Sequence, residues 1–509
     1  MEICRMFDQN RRPDGTETGA EKSACPLFFS AALLACAVSV AILAGCASAP
    51  EAGSPSAVPA AEPEDAAETL PPDETAAFDG YAFAAGLLAR LDAGDYAGAL
   101  ACFDSLPEPE ASSPEMQKLR LSVLVSAGDL EAAAALAGRL EAETGGNDPD
   151  VLYAQAVIAS AEDRPAERTR LLKRMVELDP QNTDALMALG EDSFGRKAYG
   201  DARKWYQQAV EADAGNPEAH RGLAHSYYLQ DKLPEARAAV DQALAAHPDS
   251  AALWAESALI RSEQRQLPAA LDDMRRALEL DPEEPYYWGN YGVLLVKASK
   301  LSEARDAFTE AIRLNPEDTF PYIYRCGVND TLGYTEEALR DYRFVCEHYP
   351  QYYYAAEGLG VLLWLQGDYA GAKAAFGQAC EYAPDNVSYA LMYTLCCYEL
   401  KENDEARRFI GRFMNTLDRS SPEYFVCRLF YDRSGDADVL GRVNRLQNEE
   451  RKGRLMFYIA CYYELFQSES LAQKFYSQIA DTLGPTFFEY RLAGARAGNA
   501  AQPAEISGI

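Results

Sequence analysis

A sequence pattern recurs every 34 residues, and this period restricts the fold more than any other feature. Prolines fall at the same place in five successive repeats: Pro248, Pro282, Pro316, Pro350 and Pro384. When these prolines are numbered position 32, position 20 is alanine in all five repeats, position 8 is a small residue and position 24 is usually a large one. Each repeat contains two apolar-periodic runs of about 12–14 residues, too short to be stable helices alone in water. The period therefore predicts pairs of helices that are stabilised by their neighbours.

The residue types explain how such a pair packs. Small residues at positions 8, 20 and 27 let two backbones approach closely, and the large residue at position 24 fills the remaining space. Proline at position 32 ends the second helix, because it lacks the backbone donor and disfavours helical geometry in the residue before it. In the turn strings Ala93–Tyr96, Ser126–Leu130 and Leu365–Tyr369, glycine suits a left-handed helix end and aspartate can cap the next helix.

The pattern W-x2-L-G-x2-Y…A-x3-F-x2-A…P resembles the tetratricopeptide repeat at its usual period. Repeat 285–318 carries nearly all of it: Trp288, Tyr291, Gly292, Leu295, Ala304, Phe308, Ala311 and Pro316. The resemblance implies an all-α fold, a right-handed superhelical α-solenoid of about twelve helix hairpins with a C-terminal capping helix. We expect the solenoid over 79–484, with the clearest pattern at 149–386, the capping helix at 485–498 and a flexible tail at 499–509.

The N-terminal segment is predicted to direct export. An apolar run, Ala24–Leu43, ends in Leu43-Ala44-Gly45-Cys46. This ending resembles a bacterial lipobox, in which small residues fit the signal peptidase and the cysteine sulfur receives the lipid. Residues 1–45 are then a lipoprotein signal peptide and Cys46 is the lipidation site. The alternative is an uncleaved transmembrane anchor, since about 20 apolar residues can span a bilayer.

Residues 46–78 are predicted to form a disordered tether, because the segment is rich in Ala, Pro and Glu and holds few large apolar residues. With lipid on Cys46, the expected location is the bacterial cell envelope, facing the periplasm, with the outer membrane favoured over the inner one. The formal net charge of -32 argues against binding to nucleic acid or adhesion to an anionic lipid surface.

The sequence contains no recognisable catalytic motif. Its four histidines lack the spacing of a zinc helix, and no nucleotide-binding or nucleophile motif stands in a fitting context. We therefore expect no enzyme activity, no cofactor and no metal. The cysteines after Cys46 fall mostly on buried helix positions, so they are predicted to be packing residues rather than disulfides.

The predicted binding surface is the inner, concave groove lined by the first helix of each repeat. At first-helix positions, the resemblance places these candidate residues for binding a protein or peptide: Tyr286, Asn290, Phe320, Tyr324, Tyr354, Glu357 and Trp364. Aromatic side chains with polar tips are good anchors at low entropic cost. The alternative is that some of these rings only pack against neighbouring first helices.

These features predict a non-catalytic, membrane-anchored scaffold that binds another cell-envelope protein or peptide, with a role in outer-membrane or envelope assembly. An alternative is a periplasmic carrier or partner subunit that holds a small hydrophobic ligand in the solenoid pore.

Overall fold

A computed structural model describes residues 78–482 and 487–498. All regular structure in these residues is helical, with 25 α-helices and short 3-10 segments at Glu110–Ser112 and Met414–Thr416. The chain divides into two compact units, of which residues 78–232 and residues 233–498 are the described parts. The predicted signal peptide, the lipidation site Cys46, almost all of the tether and the tail lie outside the described residues.

The first unit holds four helix pairs and one further helix. They are α1 Gly80–Asp92, α2 Tyr96–Asp104, α3 Pro114–Ser126, α4 Leu130–Thr144, α5 Pro149–Ala161, α6 Pro165–Leu178, α7 Thr183–Gly195, α8 Tyr199–Ala212 and α9 Pro217–Leu229. Each helix packs against the next one along the chain.

The second unit begins with one helix, continues with seven helix pairs and ends with a short helix. They are α10 Leu233–Ala246, α11 Ala251–Glu263, α12 Leu267–Leu280, α13 Pro285–Lys297, α14 Leu301–Leu314, α15 Thr319–Thr331, α16 Thr335–His348, α17 Tyr353–Leu365, α18 Tyr369–Tyr382, α19 Val387–Glu399, α20 Asn403–Phe413, α21 Pro422–Asp432, α22 Asp436–Val443, α23 Glu449–Phe466, α24 Glu469–Thr482 and α25 Phe488–Arg496. One continuous hydrophobic core runs through this unit from Ala255 to Ala493.

The predicted period therefore sets the helix boundaries. Helices α1 to α24 follow the twelve predicted repeats in order, and the first helices of the five clearest repeats begin at the residues from which the period was counted. Farther along, α23 begins at Glu449, four residues before the expected Gly453, and α22 is short. The prediction of an all-α repeat fold is confirmed.

The turn chemistry is also confirmed. Gly94, Gly128 and Gly367 adopt positive φ angles of 69°, 74° and 78° at the ends of first helices. The aspartate after each glycine caps the following helix. Asp95, for example, accepts a hydrogen bond from the backbone N–H of Gly98 at 2.9 Å.

A close contact between positions 8 and 24 joins the two helices of a repeat. A Cβ atom built on Gly292 would lie 2.5 Å from the Phe308 ring, and one on Gly360 would lie 2.8 Å from the Phe376 ring. Real Cβ atoms do not approach so closely, so position 8 must stay small wherever position 24 is aromatic.

The same ring also contacts the next repeat at position 6. The Phe308 ring stacks on Tyr324 with ring centroids 5.6 Å apart. Where position 6 is glycine, as at Gly358, a Cβ atom would overlap the Tyr342 ring of the preceding repeat. Position 24 therefore joins three helices, and position 6 belongs to the packing rather than to an open surface.

Two buried carboxylates at position 23 add polar contacts between the helices of a pair. Asp341 accepts two hydrogen bonds from the Arg325 guanidinium, at 2.8 and 2.9 Å, and one from Asn329 at 3.1 Å. Asp273 accepts from Ser257 and from Arg261 at 2.5 and 2.8 Å. A buried carboxylate is tolerated because it is fully paired in this way.

The first testable prediction concerns the position 8 contact. Gly292→Ala should destabilise the protein by about 1–3 kcal/mol, because the added methyl group overpacks the contact with Phe308. Gly327 is the matched control: it lies inside helix α15, and no heavy atom lies within 4 Å of a Cβ atom built there. Gly327→Ala should stabilise by up to about 1 kcal/mol through helix propensity. Thermal and urea unfolding followed by circular dichroism measure both. Equal changes in stability for the two variants, or a larger loss of stability in Gly327→Ala, would contradict the packing argument.

Candidate functional site

The first helices of successive repeats in the second unit form the surface on which the candidate residues lie. Neighbouring first helices contact each other directly, α13 with α15, α15 with α17, and α19 with α21 and α23. We call the surface that they share the first-helix face; it is the structural counterpart of the groove predicted from the sequence. The candidate residues occupy three different environments on it.

A row of aromatic rings lies at position 2, near the start of three successive first helices. The second residues of α13, α15 and α17 are Tyr286, Phe320 and Tyr354. We call these three residues the aromatic row. Tyr286 and Phe320 are partly buried, while Tyr354 is 51% exposed. The Tyr354 ring lies 4.4 Å from that of Tyr353, and the Phe320 ring lies 5.0 Å from that of Tyr324. The rings of Tyr354 and Phe320 therefore pack against neighbouring rings and retain accessible surface.

Three other candidate residues are buried, and the packing alternative describes them better. Tyr324 is 1% exposed and Asn290 8% exposed, since both stand at position 6, which meets the preceding repeat. Trp364 is 5% exposed, and its ring packs edge-on against Tyr369 with centroids 4.9 Å apart. In this arrangement these side chains shape the face from within and offer no contact area to a partner.

Glu357 lies in a polar environment that the sequence did not predict. The Tyr389 hydroxyl donates a hydrogen bond of 2.6 Å to its carboxylate. Burial raises the pKa of Glu357 to about 7, the hydrogen bond from Tyr389 opposes that rise, and the nearby Glu489 carboxylate adds to it. Because Glu489 belongs to α25, the last helix of the chain reaches the first-helix face.

Helix α25 places two arginines and one acid among the first helices. Arg491 forms a paired hydrogen bond with Asp330 of α15, at 2.7 and 2.8 Å, across 161 residues of sequence. Arg496 lies 3.1 Å from Glu464 of α23 and 3.8 Å from Glu399 of α19. The capping helix was predicted to cover only the last repeat. It does contact α23 and α24, but it also extends across α15, α17 and α19.

Sequence reasoning missed the pairing of Asp330 with Arg491. Helix α25 has nine residues and two arginines five positions apart, a pattern that predicts only a helix exposed to solvent. No periodicity connects α25 with the repeat of Asp330, which lies five hairpins earlier. A long-range contact of this kind leaves no signal in a single sequence.

A cavity of about 410 Å³ opens beside this region, at the beginnings of α19, α21 and α23. Eight of its ten lining residues have polar or charged side chains, and Arg451 on one side is paired with Glu423 at 2.6 Å. Within the described ranges, no cluster of three or more His, Cys, Asp or Glu side chains could hold a metal ion, and the eight cysteines there are free thiols.

No helix in the part of the chain that the structure covers is both long and apolar enough to cross a bilayer. The membrane anchor therefore stays a prediction about the N-terminal segment alone.

Comparison with known proteins identifies the repeats. One family model described as tetratricopeptide repeat matches residues 193–259 and 363–424, and a second matches 153–217, 256–319 and 331–372. No curated protein sequence matches the chain.

Several solved structures are similar to parts of it. YrrB, described as a TPR protein with an unusual peptide-binding site, is 22% identical over 36% of this chain and 93% of its own, with a TM-score of 0.32. PilW, a widely conserved type IV pilus biogenesis factor, is 16% identical over 40% of this chain and 94% of its own, with a TM-score of 0.36. A tetratricopeptide repeat protein from Parabacteroides merdae is 16% identical over 50% of this chain and 98% of its own, with a TM-score of 0.33.

The matched repeats and the helix pairs in 34-residue register cover the same central part of the chain. This protein belongs to the tetratricopeptide repeat family.

Proposed function

We propose that this chain is a non-catalytic scaffold of the bacterial cell envelope, anchored through lipid on Cys46, that binds a segment of another envelope protein. The binding surface is the first-helix face of the second unit, and the aromatic row supplies the anchors. Repeats of this family are protein-interaction modules, so a protein partner follows from the fold. The envelope location, the lipid anchor and a role in outer-membrane or envelope assembly come from the N-terminal sequence.

The observation that carries the proposal is the spacing of the aromatic row. Equivalent positions in three stacked repeats present Tyr286, Phe320 and Tyr354 at a regular interval, each at the start of a rigid helix. Aromatic side chains supported by packed neighbours lose little entropy on binding, which makes them effective anchors for an extended peptide or a helix. The face also carries several carboxylates, such as Asp330, Glu399 and Glu464, which favour a partner segment with basic side chains.

The structure gives the small-ligand alternative less support. Eight of the ten residues that line the cavity beside α19, α21 and α23 have polar or charged side chains, and the rings of Tyr324 and Trp364 are used in packing. We therefore keep the protein partner as the proposed ligand class.

The second testable prediction concerns the aromatic row. The double change Tyr286→Ala and Tyr354→Ala should weaken partner binding about tenfold or more, since truncating an anchor ring commonly costs about 1–2 kcal/mol. The partner is first identified by photocrosslinking in cells from position 354. Its affinity for purified wild-type and variant chains is then measured by titration, with folding checked by circular dichroism.

Tyr382 provides the matched control, because it is 44% exposed but lies at the end of a second helix, α18. Crosslinking from position 382 should not trap the same protein, and Tyr382→Ala should leave affinity unchanged. If the adduct at position 354 is not an exported protein, or if the double variant binds as tightly as wild type, the proposed function is wrong.

The third prediction concerns the anchor. Cys46→Ser should abolish incorporation of labelled fatty acid, because the serine hydroxyl cannot replace the thiolate as the lipid acceptor. The measurement is metabolic labelling, with Cys36→Ser in the apolar run as the control. Retained labelling in the Cys46→Ser variant would exclude this residue as the lipidation site.

A further inference from the structure

The last helix of the chain lies where a partner segment would bind. Helix α25 contacts α17, α23 and α24, and its side chains reach α15 and α19 as well. A helix that only covered the open end of the repeats would need to contact only the last pair. The observed position involves first helices from four repeats, as that of a bound peptide helix would.

The charged contacts of α25 are complementary to the acids of the face. Arg491 binds Asp330 through two parallel hydrogen bonds, and both side chains are largely buried, with 10% and 12% exposure. Arg496 joins the acids of α19 and α23, and its guanidinium also lies 5.8 Å from the Trp364 ring. Arginine pairs with carboxylates in this fork geometry more specifically than lysine does, so the contact selects arginine.

The remaining contacts of α25 are apolar and closely packed. Leu492 and Ala493 are fully buried. The Phe488 ring lies 6.0 Å from Phe376 and 6.3 Å from Tyr389. Helix α25 therefore meets the first-helix face with aromatic, leucine and alanine side chains as well as with its arginines.

A proton is required at the centre of this contact. The Tyr458 hydroxyl lies 3.0 Å from the Ser388 carbonyl oxygen and 2.8 Å from the Glu489 carboxyl oxygen Oε1. Tyrosine has one hydroxyl proton, and both neighbours are acceptors when Glu489 is ionised. Both contacts are hydrogen bonds only if the Tyr458 hydroxyl donates to the Ser388 carbonyl and a protonated Glu489 donates its carboxyl O–H to the Tyr458 oxygen.

The surroundings of Glu489 favour that proton. The groups that face Glu489 are Glu357 of α17, Ser388 and Tyr389 of α19, and Arg454 and Tyr458 of α23. On the other helices that α25 contacts, Asp330 of α15 is bound by Arg491, and the Ala480 carbonyl of α24 accepts a hydrogen bond from Tyr490. Glu489 is fully buried, and one of its carboxyl oxygens has no hydrogen-bond partner. Burial raises its pKa, and the hydrogen bonds from Ser388 and Tyr458 and the charge of Arg454 only partly oppose the rise.

We propose that α25 is an intramolecular ligand of the first-helix face, which a partner helix of the same chemistry displaces, and that it is held by the Arg491–Asp330 pair together with a protonated Glu489. The partner segment is accordingly a helix with an arginine three residues after an aromatic residue. The identity of α25 as a ligand is independent of the partner; only its displacement by a partner rests on the proposed function.

The fourth testable prediction uses α25 as a peptide. A labelled peptide of residues 487–498 is titrated against the full chain, and binding is followed by fluorescence anisotropy. The wild-type chain should bind it at least about tenfold more weakly than a chain carrying Leu492→Asp, because the resident helix occupies the site and lowers the fraction of competent molecules. Arg491→Glu, which sets a like charge against Asp330, is the second releasing variant and should behave in the same way.

Controls on the receiving face separate docking from general damage. Adding Asp330→Ala to the Leu492→Asp chain should lower peptide affinity about tenfold or more, whereas Asp306→Ala, an exposed acid on the second helix α14, should not. A chain with Leu492→Asp and Asp330→Arg should bind an Arg491→Asp peptide better than the wild-type peptide. Equal binding to wild-type and releasing variants, no binding to any of them, or no charge-swap recovery would each overturn the proposal. Loss of partner capture in the aromatic-row variant with normal peptide binding would instead count against the proposed function alone.

The fifth prediction concerns pH. In the docked state the pKa values of Glu489 and Glu357 are raised, so docking of α25 takes up protons. Docking is therefore strongest at pH values below the ordinary carboxyl pKa and weakens as the pH rises. The contribution of Glu357 is lost near pH 7. The peptide should bind the Leu492→Asp chain about tenfold more weakly at pH 8 than at pH 5, since one unit of raised pKa corresponds to a tenfold change. A Glu489→Gln peptide should show a smaller change, and the same pH dependence for both peptides would refute the role of Glu489.

Discussion

The contact between a small residue at position 8 and a ring at position 24 is the constraint on which the rest of the structure depends. It sets the distance between the two helices of a repeat, as the Gly292–Phe308 pair shows. The same ring then reaches position 6 of the following repeat, where Tyr324 stacks on Phe308. One side chain therefore determines both the shape of a hairpin and its junction with the next, which is why a strict period can specify so much of the fold.

Because position 6 is used in packing, only some first-helix positions are accessible to a binding partner. Position 6 is used by the core, whereas position 2 lies at the helix start, where the chain has just emerged from the preceding turn. Tyr354 at position 2 of α17 is thus accessible, whereas Tyr324 at position 6 of the preceding first helix, α15, is not. A surface built in this way can change its ligand by changing position 2 without disturbing the packing, which is the usual separation between scaffold and site in repeat proteins.

The same reasoning explains what the sequence could and could not predict. Helix starts such as Pro285 and Thr319 followed from the period, and the glycine and aspartate of each turn followed from backbone geometry and capping. The site followed only in part, because Tyr324 and Trp364 satisfy the positional rule for a groove while serving the core. The pairing of Arg491 with Asp330 could not be predicted, since it joins a non-repeating segment to the repeats and depends on how the intervening helices are stacked.

The energetics of α25 suit a contact that forms and opens. It has nine residues, fewer than an isolated helix needs for stability in water, so its helical form depends on the face against which it packs. That face holds Asp330 with little access to water, and removing Arg491 from this buried pair leaves the carboxylate unpaired. A competing helix that supplies its own arginine to Asp330 avoids this cost, whereas simple dissociation into water does not. Exchange of one helix for another is therefore favoured over an empty face, and specificity for arginine follows from Asp330, the same carboxylate that retains α25.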